Sequence, residues 1–143
     1  MVNEIIDGIS VALSDAFDGI TIYSESVAQD LQEPCFFILN LTSREVRLVG
    51  NRAQRNMAFD IHYFPESNLS PKYECQSIAE RLYPVMREIA LLDGSKVLGL
   101  NLNHDIIDGV LHFNVEFKST IVYVNERAEG MQTIDVNQSF KGG

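Results

Sequence analysis

The sequence predicts an α+β domain: an antiparallel or mixed sheet carrying a long projecting β-hairpin, with two helices packed on one face. Three observations lead there. Apolar residues recur at helical spacing in two separate stretches, 2–18 and 71–91. Two strand-like runs, Glu33–Arg47 and Arg52–Pro65, flank a Gly50-Asn51 turn. Asp108-Gly109, between two further alternating runs, is the strongest short hairpin signal in the chain.

The first helix is carried by Val2, Ile5, Ile6, Ile9, Leu13, Ala16 and Phe17, with Asn3, Glu4, Asp7, Ser14 and Asp15 on the other side. Gly8 inside it costs about 1 kcal/mol relative to alanine, which points to close packing or to simple tolerance. Asp18-Gly19 ends the helix and leads into a short strand, Ile20 to Tyr23. The polar segment Ser24 to Gln32 reads as a loop with a helical turn.

The long hairpin follows, and its register can be tested against its own pattern. A two-residue Gly50-Asn51 loop places Leu39 opposite His62 and Leu41 opposite Asp60, apolar against polar. Shifting by one pairs Phe37 with Tyr63, Leu39 with Ile61 and Leu41 with Phe59, giving one apolar face. The loop is therefore expected to hold an odd number of residues, or one arm a bulge. A fifteen-residue arm at about 3.3 Å per residue reaches roughly 50 Å. A compact domain of this length is only about 37 Å across, from a radius of gyration near 14–15 Å. The tip is thus expected to project past its own core and to find partners for its exposed backbone groups in neighbouring chains.

Ser70 and Pro71 supply an N-cap and a first-turn proline for the second helix, whose apolar face is Cys75, Ile78, Ala79, Leu82, Val85, Met86 and Ile89. It is expected to run to about Leu91, with a kink at Pro84. After Asp93-Gly94, a two-residue Asp108-Gly109 turn pairs Ile107 with Val110, Ile106 with Leu111, His104 with Phe113, Leu102 with Val115 and Leu100 with Phe117. The last strand runs on through Ile121–Val124, where both faces turn apolar, as for burial against another subunit. Residues 1–125 read as one domain and 126–143, ending in Gly142-Gly143, as a C-terminal tail or arm.

A 143-residue chain holds one domain with one sizeable core. Its hydrophobic fraction of 45% argues against disorder. The net charge of −9 repels nucleic acid, so sequence-specific DNA binding is not expected. No apolar run approaches the about 18 residues of a membrane span and the start lacks a basic leader, so the expectation is a cytosolic protein with no membrane contact. Cys35 and Cys75 have neither metal-ligand nor redox spacing and read as small core hydrophobes.

No catalytic, cofactor-binding or metal site is expected. His104, Asp105, Asp108 and His112 lie near one another in sequence, but the hairpin register puts Asp105 and His112 on one face and His104 on the other. Asp60 and His62 share the less apolar face of the long hairpin, with no nucleophile or phosphate-loop motif beside them. Arg44, Arg47, Arg52 and Arg55 surround the hairpin tip, together with Gly50 and Asn51. Such charges either keep a solvated tip from aggregating or make it a docking finger for an acidic surface on the next subunit or a stacked ring; a DNA contact is a weaker third reading, because no aromatic residue is interleaved to stack on bases.

Glu33-Pro34-Cys35-Phe36-Phe37-Ile38, then Gly50-Asn51-Arg52, then Phe59-Asp60-Ile61-His62-Tyr63-Phe64-Pro65, after an amphipathic N-terminal helix, resemble the tail-terminator (tail completion) family of tailed bacteriophages. The likeness is to the type found in phages of Gram-positive bacteria and in phage-tail-like particles, and covers most of residues 1–125. It implies helices against a sheet and a structural, non-enzymatic role: a homo-oligomeric, hexameric ring that caps the tail tube, stops its polymerisation and forms the joint to head or neck proteins. The implied partners are the tail tube protein and a head/neck completion protein, with DNA passing through the lumen without specific binding and no cofactor. The implied location is the virion tail or a phage-tail-like particle, and the host cytoplasm during assembly. A tail tube or head-completion subunit is the alternative reading, and a small enzyme or ligand-binding domain the remote one.

Overall fold

A computed structural model describes residues 1–24, 31–126 and 130–134. Two helices, α1 (Val2–Ala16) and α2 (Pro71–Met86), lie against a mixed sheet whose strands run in the order β1-β2-β3-β6-β5-β4. The strands are β1 (Thr21–Tyr23), β2 (Cys35–Arg47), β3 (Arg52–Phe64), β4 (Glu88–Ala90), β5 (Lys96–Ile107), β6 (Val110–Glu126) and β7 (Gly130–Ile134). Only β1 is parallel to its neighbour, along Cys35–Phe37; the other pairings are antiparallel. The expected α+β class and its two helices are therefore what the chain forms.

One face of the sheet meets the helices. Phe36 and Ile38 of β2, Phe59, Ile61 and Tyr63 of β3, and Leu111, Phe113, Val115 and Phe117 of β6 are buried against Ile5, Ile9 and Leu13 of α1 and Cys75, Ala79 and Leu82 of α2. Gly8 is there for closeness: a Cβ on it would stand 3.0 Å from the Leu91 side chain and 3.1 Å from the Ala90 carbonyl. The α1 stripe thus seats directly on the segment after α2.

That segment differs from the expected one. α2 ends at Met86, soon after Pro84 removes a helical hydrogen bond, and Glu88–Ala90 becomes an edge strand paired with Lys96–Leu98. Ile89 and Leu91 both face the core, because positions two apart in an extended segment share one side, whereas on a continued helix they would point to opposite sides. Gly99 is fixed by this turnback: its amide bonds the Arg87 carbonyl at 2.7 Å, and a Cβ would fall 2.0 Å from the Met86 carbonyl oxygen.

The long hairpin contains both irregularities that the sequence offered as alternatives. Its loop is odd-numbered, closed by Leu48 N–H to the Arg52 carbonyl at 2.9 Å around Val49, Gly50 and Asn51. A bulge also lies between Asn40 and Thr42. The expected pairs Phe37–Tyr63, Leu39–Ile61 and Leu41–Phe59 are consequently replaced by Phe36–Tyr63, Ile38–Ile61 and Asn40–Phe59, with Leu39 facing Asp60. Past the bulge the parity of β2 inverts, so Thr42, Arg44 and Val46 share the open face with Ala58 and Asp60, while Glu45 and Arg47 turn to the helix side. Asn40 secures the bulge, donating to the Thr42 and Ala58 carbonyls at 3.2 and 3.1 Å.

The hairpin is not a lone ribbon. β3 pairs with β6 from Tyr63–Leu111 to Arg52–Val122, and β7 continues along β6 from Val122–Ile134 to Glu126–Gly130. The arm expected to project past the core is therefore backed by sheet on its β3 side, and among the described residues the outer edge of β2 beyond Phe37 has no strand beside it. In the second hairpin, Asp108 (φ 52°) and Gly109 (φ 77°) form the expected two-residue turn, and Ile107–Val110, Ile106–Leu111 and His104–Phe113 pair as the pattern requires. The expected pairs Leu102–Val115 and Leu100–Phe117 are displaced by a second irregularity, with Asn101 at φ 52°, so that Leu100 faces Glu116 and Gly99 faces Phe117. Of the stretch expected as a tail or arm, Glu126 ends β6 and Gly130–Ile134 is β7; residues 127–129 and 135–143, like 25–30 of the expected helical turn, lie outside the described part. No helix among the described residues is long and apolar enough to cross a membrane.

Candidate functional site

Two surfaces stand out, and both follow from where the helices stop. The first is the distal half of β2. Every residue from Leu41 to Arg47 is exposed, and among the described residues only β1 pairs with the outer edge of this strand, at Cys35–Phe37. Leu41, Val46 and Val49 stand out of this end at 53%, 41% and 83% exposure, interleaved with arginines. A mixture of exposed apolar and guanidinium side chains beside unpaired strand backbone has the composition of a contact surface.

Of the six residues singled out at the tip, Arg47, Gly50, Asn51 and Arg52 line one hollow beside Glu45 and Tyr123, while strand alternation sends the arginine side chains to both faces. Arg44 and Arg52 lie on the open face, across from Asn56 and Val122 respectively. Arg47 and Arg55 lie on the helix-side face beyond the helices. Arg55 is already engaged, its Nε 2.8 Å from Glu45 Oε1. Tyr123 donates its hydroxyl to Glu45 Oε2 at 2.6 Å. That bond, followed by Arg55, holds the Glu45 carboxyl below its ordinary range, and the same bond pushes the Tyr123 hydroxyl up. Gly50 takes φ 76° in the loop, and Asn51 ties the loop to β6 by donating its side-chain amide to the Tyr123 carbonyl while its own carbonyl accepts the Tyr123 N–H. The tip is therefore a braced corner of the sheet. Glu45 and Tyr123 were missed by the sequence reading because their meeting depends on β3 lying between β2 and β6.

The second surface is the face of the sheet opposite the helices. His62 and His112 are register partners on β3 and β6, with ring centroids 4.1 Å apart. Asp60 Oδ2 lies 3.0 Å from His62 Nε2 and 3.5 Å from His112 Nδ1. Burial draws the Asp60 carboxyl up, but the bonds and charges of His62 and then His112 outweigh it and leave the group below its ordinary value. Phe37 continues this row on β2, and Asp105 on β5 lies across from His112. His104 points the other way, as the register predicted, between Tyr83 and Gln76 of α2 at 2.7 and 3.0 Å.

A braced, open strand edge and a polar sheet face are what a subunit that acts through contact offers a neighbour. The chain matches the family model described as phage tail terminator protein over residues 4–129, and it belongs to that family. It is thus a structural protein of the bacteriophage tail. No curated protein matches it.

Proposed function

We propose that this protein closes into a ring, caps the finished tail tube so that polymerisation stops, and presents the joint to head or neck proteins. The observation that carries this reading is the distal half of β2, Leu41–Arg47, exposed at each residue and, among the described residues, without a strand partner beyond Phe37 on its outer edge. An edge of this kind attracts another chain unless it is covered, and a closed rotational assembly covers it in each copy while leaving no free lateral edge. Arg44, Arg47, Gly50, Asn51, Arg52 and Arg55 are the contact residues, Arg44 and Arg52 reaching one side of the subunit and Arg47 the other. Because the arginines divide between two faces, each copy meets a neighbour and the tube through different members of the set. A hexameric count and a Gram-positive phage or tail-like particle setting rest on the family resemblance.

Capping requires that the ring bind the tube end more tightly than a further tube subunit does, while offering no equivalent surface for growth. DNA passes such a ring without sticking when the lumen is acidic, and a net charge of −9 per chain provides for that. The test is native mass measurement with negative-stain imaging of the purified protein, alone and with tube protein. A discrete closed ring that ends tubes at one extremity is the expected result. A monomer that leaves tube length unchanged would refute the reading, and open filaments of the protein alone would make it a tube subunit.

A further inference from the structure

From the cluster on the open face we infer a transition-metal site: Asp60, His62 and His112 bind one divalent cation of the zinc class and clip β3 to β6. This inference is independent of the ring reading and comes from the donor set and its spacing. The ligand atoms of the three side chains all lie within 4.8 Å of one another. At metal–ligand bonds of about 2.0–2.2 Å, the donors of a tetrahedral site stand roughly 3.3–3.5 Å apart. Of the two separations from Asp60 Oδ2, the 3.5 Å to His112 Nδ1 lies at that spacing already, and the 3.0 Å to His62 Nε2 is about 0.3 Å short of it, an opening that a small side-chain rotation supplies. Two imidazole nitrogens and one carboxylate oxygen suit zinc, copper, nickel or iron, and they do not suit calcium or magnesium, which prefer all-oxygen shells.

Three further features favour an ion over a simple hydrogen-bonded trio. Both imidazoles converge on one oxygen, Oδ2, while Asp60 Oδ1 is buried with no hydrogen-bond partner among the described residues. The site is accessible: His62, Asp60 and His112 keep 19%, 14% and 25% of their side-chain surface, on the face that carries no helix. A fourth position is therefore open to water or to a ligand from outside. Asp105, across from His112, adds a second carboxylate to the same face, and the acidic chain as a whole draws cations in. Sequence spacing alone hides this set, because His112 comes to His62 only through the β3–β6 pairing.

The experiment uses full-length, tag-free protein stripped with chelator and titrated with Co2+ and, separately, Zn2+. The expected result is one ion per chain with micromolar or tighter affinity, the intense visible absorption of tetrahedral Co2+ without thiolate charge-transfer bands, and a Zn2+-dependent rise in melting temperature. Loss of even an outer-sphere partner weakens metal binding about 10–100-fold. Asp60→Asn, His62→Gln and His112→Gln should therefore each weaken it at least about tenfold. His104→Gln, altering the third histidine of the chain on the other face, should leave it unchanged. Asp60→Asn keeps the side-chain shape, so it remains informative if a histidine variant fails to fold. Uptake only at millimolar metal, or uptake indifferent to all three substitutions, would overturn the site and leave a hydrogen-bonded cluster.

Discussion

At its base β2 is buried from Cys35 to Ile38, with β1 along its outer edge and α1 beneath; from Leu41 to Arg47 the same strand is exposed throughout. One strand thus serves as core at one end and as surface at the other. The change falls at the Asn40–Thr42 bulge, where the alternation of the strand inverts. The contrast separates what folds the subunit from what the subunit offers: substitutions at the covered end should act on stability, and substitutions at the open end on assembly.

The sharpest way to break this comparison is a matched pair on neighbouring residues. Ile38→Asp puts an unpaired charge among Phe36, Ile61 and the helices, and should cost roughly 5 kcal/mol or more, enough to unfold the protomer. Leu39→Asp lies on the opposite face, across from Asp60, and should leave a folded protein. Urea denaturation of both variants checks this; equal loss would mean the register is wrong. Gly99→Ala comes next. Its Cβ meets a backbone oxygen that cannot rotate away, so a cost of about 1–3 kcal/mol is expected, read as a lowered denaturation midpoint with unchanged slope.

Glu74 tests how the covered end is tied together. Its carboxylate accepts the Tyr63 hydroxyl at 2.7 Å and the Glu66 and Ser67 N–H groups at 2.9 Å each, joining β3 to α2. Burial pulls this carboxyl up, but those three bonds prevail and hold it below its ordinary value of 4.5. A depressed carboxylate contributes stability that is present in full above the unfolded value and fades as pH drops through the lower folded value. Glu74→Gln should therefore cost about 1–3 kcal/mol at neutral pH. The gap to the wild-type protein should close on acidification below about pH 4.5, as measured by denaturation at a series of pH values. The smallest expected effect is at the bulge. Asn40→Ala removes two bonds to backbone carbonyls and one from Ser43 Oγ, all at an exposed side chain, and should cost about 0.5–1.5 kcal/mol, while raising amide exchange in the strand segments around the bulge and not elsewhere.

Local signals in the sequence were read well where the structure is local. The α1 stripe, the Ser70-Pro71 start of α2 and the Asp108-Gly109 turn each depend on residues within a few positions of one another. The end of α2 was misread because Ile89 fits both the helical stripe that runs from Cys75 to Met86 and the alternation of the extended segment that follows, in which it shares one side with Leu91. The bulges at Leu41 and beside Asn101 were illegible for a different reason: each inverts the alternation midway, so a single register fitted to a whole arm fits only part of it. The candidate site divides in the same way. The arginines of the tip are visible in sequence, but their division between two faces depends on the bulge. The link from Glu45 to Tyr123 and the convergence of Asp60, His62 and His112 depend on β3 and β6 being neighbours, a pairing between segments that no short pattern encodes.

The open edge of β2 is most directly tested by hydrogen exchange of the Leu41–Arg47 amides, compared between the lone protomer and the assembled particle. If this edge is where copies meet, its outward amides exchange freely in the protomer and slow by about tenfold or more on assembly, while the Cys35–Ile38 amides are protected in both states. Identical exchange of Leu41–Arg47 in the two states, with new protection appearing elsewhere, would contradict the account.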